Sequence, residues 1–475
     1  MAQELTPDIC VVGGGPGGVA VALAAAAEGV PVVLVERAAM GGSNLAHGAV
    51  PSQALIAAAA VNESLRRGPA FGVSGAPVQV NLGKVREHVA AVTEAVAATV
   101  SADRLTALGV HVINAAATFL DRTTMAAGDF VIRARRTVLA VGAQPSPPDL
   151  PGLDGVEIVA PESIFDLSRK PSHLIVLGAT RAGLELAQAH ARLGIDATVV
   201  DPQPPLADDD PELAEIVVDR LRAEGVRVRA PAKVASIARR RGGIRLVIDD
   251  GEEGETALDG SHLVVMTGRT PAVDGLGLAA AGIAHNKDGI VVDRRLRTAN
   301  RRVYAVGDAI AGPARAARAE YEAARVMKAI LFRLPFPYDP AAVPLVTATD
   351  PALATVGLSE AQAKRRYRAV RVLRFPFVAN DRAQAERMPE GVVKVVASDG
   401  GRVLGAAIVG HDAGEQIALW ALAIANRLPI GAMGAFPAPY PSRSDIARRV
   451  AASFAGPALT APWRGRMIAL LRRFG

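Results

Sequence analysis

Apolar residues in this chain fall into short unbroken runs separated by glycine turns and by stretches with helical spacing. Ile9–Val12 is a fully apolar run; Gly13–Gly18 is glycine except for Pro16, an alanine-rich stretch follows to about Glu28, and a second apolar run, Pro31–Val35, ends at Glu36. A short unbroken apolar run suits a parallel strand buried on both faces, so the pattern predicts strand, glycine turn, helix, strand, acid. The order recurs with strand Leu174–Leu177, turn Gly178–Gly183, helix Leu184–Leu193 and strand Ala197–Val200 closing on Asp201. In both units the acid falls 23 residues after the first glycine. Chance seldom reproduces such an offset, so the chain carries two copies of one supersecondary unit.

Each part of that unit has a reason. Gly13 makes the tight turn, Gly15 lets backbone approach a pyrophosphate, and Gly18 allows helix and strand to pack closely. The phosphates of a dinucleotide then sit at the positive end of the helix, and Glu36 accepts hydrogen bonds from a ribose. In the second unit Gly178, Gly183 and Asp201 repeat these roles, but Thr180 stands where the middle glycine belongs, so its side chain must tilt away from the phosphates. Asp201 repels a 2′-phosphate and no arginine closely follows it, which favours NADH over NADPH.

Composition narrows the class. At 475 residues, half of them apolar, the chain exceeds one hydrophobic core and suggests about three globular domains. The single cysteine, Cys10, lies in the first predicted strand and excludes an internal disulfide. No basic leader with a small-residue cleavage site opens the chain and no window is apolar enough to span a bilayer, so a cytoplasmic protein is expected. The eight histidines show no metal-ligand spacing, and no metal is expected. The net charge of +6 is concentrated in the tail: from Arg443 onward seven arginines face one acid, Asp445. With the rest formally neutral, no spread nucleic-acid-binding face is expected. Residues 460–475 predict a short cationic helix in which Trp463, Met467, Leu470, Leu471 and Phe474 form one stripe, suited to packing on the dimer or to peripheral contact with an anionic membrane.

These motifs, in this order, resemble the class I pyridine nucleotide–disulfide oxidoreductases (dihydrolipoamide dehydrogenase, glutathione reductase, mercuric reductase). Thr137–Pro145 resembles the segment closing the first FAD portion, Thr267–Pro271 the GRxPN stretch, and Val303–Asp308 the second FAD motif. Thr349–Pro351, Val356-Gly357 and Asn380–Ala383 resemble the C-terminal dimerisation domain, and Gly183–Gly194 with Thr180 is most like the mercuric reductases. The resemblance implies an α/β fold with two Rossmann-like domains and an α+β dimerisation domain. The layout is an FAD-binding domain in two segments, 1–150 and 270–340, an NAD-binding domain at 151–269, an interface domain at 341–459 and the tail at 460–475. It implies FAD contacts at Gly13, Gly15, Pro16, Gly17, Gly18, Glu36, Arg37, Gly42, Ser43, Gly142, Gly307 and Asp308. NAD contacts fall at Gly178, Thr180, Gly183, Glu185, Asp201 and Gly268. A homodimer is implied, with Tyr440 reaching the partner's flavin.

The resemblance fails at the chemistry. The family's GGTCxxxGCxPSK segment corresponds to Gly41–Gln53, in which Asn44 and Ala49 occupy the two cysteine positions and Gln53 that of the lysine. A disulfide relay needs an attacking thiolate and a resolving partner, and neither is present. Glu185, the lysine's usual partner, persists; without its cation it should have a raised pKa or lean on Gln53. The HPTxSE motif reads Tyr440-Pro441-Ser442-Arg443-Ser444-Asp445, and a tyrosine is a poor base near neutral pH but a fair hydrogen-bond donor to a carbonyl or quinone oxygen. His47 is read either as a proton donor near the flavin or as a solvated turn residue. Three functions stay open: an NADH oxidoreductase passing electrons through flavin to a small non-thiol acceptor such as a quinone, a catalytically decayed redox sensor or scaffold, and a flavin-only dehydrogenase or oxidase.

Overall fold

The computed structural model describes all residues except 1–2, 76–77, 162, 168, 252–253, 313–315, 335–337, 456–461 and 475, and also omits the side chains of 316, 455 and 462–464. It divides into two compact units, residues 1–204 with 224–338, and residues 205–223 with 339–475.

The first unit holds two parallel sheets. The sheet carrying the first glycine turn has the order Val303–Ala305, Arg136–Leu139, Ile9–Val12, Val32–Glu36, Val110–Asn114, all parallel. The central run Ile9–Val12 is buried along its whole length, as a strand covered on both faces must be. The sheet carrying the second turn, Arg227–Arg229, Asp196–Val200, His173–Leu177, His262–Val265, is likewise parallel, with the strand before its glycine turn in its interior. Both repeat units thus sit at the middle of their sheets, with the glycine turn at the carboxyl end of the central strand, where ligands of open α/β sheets bind. The helices after the turns span Pro16–Ala27 and Arg181–Arg192. The second starts three residues before its apolar run because Thr180 caps it.

The second unit is built on an antiparallel five-stranded sheet, in the order Leu345–Thr347, Ala352–Gly357, Val403–Gly410, Val392–Ser398, Val370–Pro376. Trp420, fully buried on the helix Ala413–Ala425, anchors its core. The helix Pro211–Ala223 belongs to this unit although its sequence lies inside 151–269. The helix buries Leu213, Val217, Val218 and Leu221, and at its start Lys394, 5% exposed, places Nζ 2.5 Å from Asp210, 2.8 Å from Glu360 and 3.0 Å from Glu212. Arg374 adds a second cation, 2.9 Å from Glu212. A lysine this buried needs its carboxylates, so Asp210 and Glu212 tie the start of the helix to the sheet.

The tail forms a helix over Pro462–Leu471. Met467, Ile468, Leu470, Leu471 and Phe474 are all exposed, whereas the side chain of Trp463 lies outside the described residues.

Candidate functional site

The two glycine turns have the same geometry. Gly13 and Gly178 adopt φ of +108° and +113°, and a Cβ would lie 2.3 Å from the Ala140 carbonyl oxygen in one case and 2.5 Å from that of Met266 in the other. A Cβ on Gly18 would lie 1.8 Å from the Gly13 oxygen, and on Gly183 2.0 Å from the Gly178 oxygen. No side chain fits at these four places, which is the physical content of the repeat. The acids match as well. Glu36 accepts the N–H groups of Gly14 at 2.5 Å and Ala38 at 2.8 Å; Asp201 accepts those of Ala179 and Gln203, each at 2.7 Å. Each carboxylate is therefore held at its strand end against the glycine turn, where a ribose hydroxyl would meet it.

The first turn also has room. The nearest atom to a Cβ on Gly15 is the Gly42 Cα at 4.0 Å, so two glycines face each other backbone to backbone above the N-terminus of the helix Pro16–Ala27. Gly142, at φ +66°, has nothing within 4 Å of its Cβ position. Asp308 is half-buried; burial pushes its carboxyl up while Arg269 and Arg318 pull it down. Open glycine backbone, a helix N-terminus and an acid at each end fit a bound dinucleotide. Gly17 also serves helix packing, since its Cβ position is 3.1 Å from Ala319. Arg37 and Gly268 are exposed, while Ser43 and Pro16 are half-buried at the turn. At the second turn the Thr180 hydroxyl donates to the Met266 carbonyl at 2.9 Å and accepts the Gly183 N–H at 3.3 Å, so it is tied into the turn.

The segment matching the family's disulfide is compact. A five-residue helix, Gly42–Ala46, breaks at His47 and restarts as Ala49–Arg67. Gly48 permits the break: its Cβ would lie 2.7 Å from the Ser43 oxygen and 2.9 Å from the Asn44 Cα. Asn44 is half-buried and Ala49 and Gln53 exposed, while Glu185 is half-buried on Arg181–Arg192. His47 is half-buried at the break. Cys10 is fully buried in the central strand, and burial pushes its thiol up to about 12, so it supplies no thiolate.

In the second unit the YPSRSD motif is rebuilt around different partners. Tyr440, 75% exposed, donates its hydroxyl to Asp381 Oδ2 at 2.9 Å, and the carboxylate holds the phenol above its usual range. The phenol proton, expected to serve a carbonyl or quinone oxygen, here meets Asp381. Asp445, 5% exposed, binds Arg448 at 2.8 Å and Arg449 at 2.5 Å rather than Tyr440; although burial pushes its carboxyl up, the two arginines hold it below the usual range. Arg443 pairs with Glu386 and, at 2.6 Å, with Asp412.

Two groups were missed in the sequence. Asp381 adjoins Asn380, whose side chain donates to the Ser442 carbonyl at 3.0 Å, so the two segments are stitched together. Glu322, fully buried on the helix Ala316–Phe332, accepts the Gly307 N–H at 2.6 Å, Arg318 Nε at 2.7 Å and the Tyr338 hydroxyl. Arg318 in turn donates to the Ala311 carbonyl at 2.8 Å, so this pair clamps both ends of the loop carrying Asp308. The only signal was an arginine and a glutamate four residues apart in an alanine-rich helix, which reads equally well as a surface pair. Among the described residues no cluster of His, Cys, Asp and Glu suits a metal ion, and no helix is long and apolar enough to cross a membrane.

Comparison with known proteins gives the same assignment. Residues 7–323 match the family model "Pyridine nucleotide-disulphide oxidoreductase" and residues 343–451 that family's dimerisation domain. The dihydrolipoyl dehydrogenase of Geobacillus stearothermophilus is 33% identical over 422 residues, 87% of this chain and 89% of that protein. The mercuric reductase of Streptomyces lividans is 30% identical over 455 residues, 94% of this chain and 96% of that one. The crystal structure of LpdA from Mycobacterium tuberculosis superposes with a TM-score of 0.85 at 28% identity, covering 95% of this chain and 99% of that one. With its paired glycine turns, its two acids and its C-terminal antiparallel sheet, the chain belongs to the pyridine nucleotide–disulphide oxidoreductase family of FAD-dependent enzymes.

Proposed function

We propose that this protein is an NADH-dependent flavoenzyme without a disulfide relay that reduces a small non-thiol acceptor, most simply a quinone. The observation that carries the reading is the pair Asn44 and Ala49 in the family's cysteine positions, with the sole cysteine sealed in the sheet. FAD, when bound, would take a hydride from NADH and release the electron pair to the acceptor, so no protein thiol is required. Gly13, Gly15, Gly18, Glu36 and Asp308 would hold it; Gly178, Gly183 and Asp201 would hold NADH. Anaerobic addition of NADH is expected to bleach the flavin, and a panel of quinones, disulfides and mercuric ion should restore its colour only with the quinones. A flavin that NADH leaves oxidised would favour the decayed sensor, a reading supported by Thr180 and Gln53, or the flavin-only enzyme.

Nicotinamide preference would follow from Asp201, whose carboxylate is held beside the glycine turn by the N–H groups of Ala179 and Gln203 and would meet the ribose there. NADH is expected to reduce the flavin about tenfold faster than NADPH or more, because a 2′-phosphate would be placed against a like charge. Stopped-flow rates for the two cofactors decide it, and equal rates would count against this reading.

A homodimer is part of the proposal, with Tyr440 of the partner subunit facing each flavin. In a cytoplasmic protein the exposed tail would rest on the membrane: apolar Met467, Leu470, Leu471 and Phe474 with Arg466, Arg472 and Arg473 suit an anionic lipid surface, each cation adding about 1 kcal/mol. Co-sedimentation with anionic vesicles is then expected to weaken with salt and to vanish on deletion of residues 460–475. Equal sedimentation of both forms would leave the tail as a packing element and remove this support for a lipid-soluble acceptor.

A further inference from the structure

We propose that the cleft at the amino ends of the flavin-domain strands binds a small organic phosphate in its dianionic form. The cleft has a volume of about 870 Å³ and is lined by three arginines, Arg133, Arg135 and Arg302, against one carboxylate, Asp8. Asp8 compensates Arg135 and Glu4 meets Arg133, which leaves Arg302 without an acidic partner among the described residues and Arg133 exchangeable, two guanidiniums for a phosphate monoester, which carries about −1.5 to −2 at neutral pH.

The three guanidiniums are held to different degrees. Arg135 grips Asp8 in a two-pronged pair, with Nη2 2.7 Å from Oδ2, and this contact holds the Asp8 carboxyl below its usual range. Asp8 therefore stays ionised and fixes Arg135 at the cleft floor. Arg133 meets Glu4 at 3.1 Å, but both side chains are more than half exposed, so the pair is weak and open to exchange. Arg302 has no acidic partner among the described residues, although its backbone is fixed, its carbonyl accepting the Thr137 N–H at 3.0 Å. An anion entering the cleft would meet one free fork and one loosely held fork, the geometry that binds phosphate oxygens two at a time.

Pro7, Val30 and Pro31 supply an apolar wall beside these cations, which favours a ligand with a carbon body over free phosphate. The site is distinct from the dinucleotide turns. Gly13 and Gly142 follow the carboxyl ends of Ile9–Val12 and Arg136–Leu139, whereas Asp8 and Arg135 precede their amino ends, roughly 13 Å away along a four-residue strand. A ligand held there is out of reach of the flavin and would act as an effector rather than as a substrate.

The test is calorimetric titration of the FAD-loaded protein with glycerol 3-phosphate, with saturating NAD⁺ present to block the nicotinamide-side turn. Inorganic phosphate and glycerol serve as the comparison ligands. Saturable binding of the ester with a Kd below about 1 mM is expected, weakened about tenfold or more in Arg302→Glu by loss of a charged hydrogen bond. The exposed Arg241→Glu variant should bind as the native protein does, and unchanged flavin absorbance will show that both variants are folded. Absence of saturable binding, or binding that Arg302→Glu leaves intact, overturns the site. Inorganic phosphate binding as tightly as the ester overturns the assignment to an organic phosphate.

Discussion

Asn44→Cys/Ala49→Cys is expected to remain at least about 100-fold slower with disulfide substrates than the Geobacillus stearothermophilus dihydrolipoyl dehydrogenase assayed beside it, the shortfall that a missing acid–base group imposes. Restoring two sulfur atoms restores neither of the groups that make them act. Gln53 carries no charge to stabilise a thiolate, and Tyr440 is a phenol, a poor base near neutral pH, whose hydroxyl donates to Asp381. The carboxylate at position 445 is held by Arg448 and Arg449 and cannot orient a base at 440. Adding Tyr440→His and Gln53→Lys should raise the rate by about 100-fold or more if those positions limit it. The native protein, in an anaerobic titration, should take up one pair of electrons per flavin, because Cys10 is buried with its thiol pushed up to about 12. Efficient turnover by the double cysteine variant alone would show that Gln53, Tyr440 and Asp445 matter less than the geometry implies.

Glu322→Ala is the substitution expected to damage flavin retention most. It removes the counter-charge of the Arg318 guanidinium, 4% exposed, and takes from the Gly307 N–H and the Tyr338 hydroxyl the carboxylate that accepts them. Breaking a buried ion pair by removing one partner costs about 3–5 kcal/mol, a large share of a domain's stability. The loop bearing Asp308 loses its clamp at the same time, so the purified variant should be pale as well as unstable. Arg318→Met/Glu322→Leu separates the two effects, because it removes both charges together. Urea unfolding of this double variant should recover most of the lost stability, whereas flavin per polypeptide should stay low. If the double variant binds FAD as the native protein does, the pair is a packing feature with no bearing on the cofactor.

How far the site was legible depended on the range of the interactions that build it. The glycine turns and their acids could be found because each is enforced within a few dozen residues by hard-sphere contact and strand direction. Gly18 and Gly183 leave no room for a Cβ against the oxygens of Gly13 and Gly178, five residues earlier. Glu36 and Asp201 sit at strand ends that the apolar runs had marked. The departures at Asn44, Ala49 and Gln53 were visible for the same reason, being substitutions within a fixed local frame.

What the sequence determined by itself, then, was two dinucleotide units, their order in the chain and the loss of the thiol pair, all consequences of backbone sterics and hydrophobic period. The tertiary structure alone decided which charges meet. It joined Tyr440 to Asp381, 59 residues away, and Lys394 to Asp210, 184 residues away. It turned the Arg318–Glu322 pair inward onto Gly307, and it gathered Asp8, Arg133, Arg135 and Arg302 around one cleft. No local rule predicts these pairings, because a buried charge takes whichever partner the packed core brings within reach, and that depends on the whole arrangement of strands and helices.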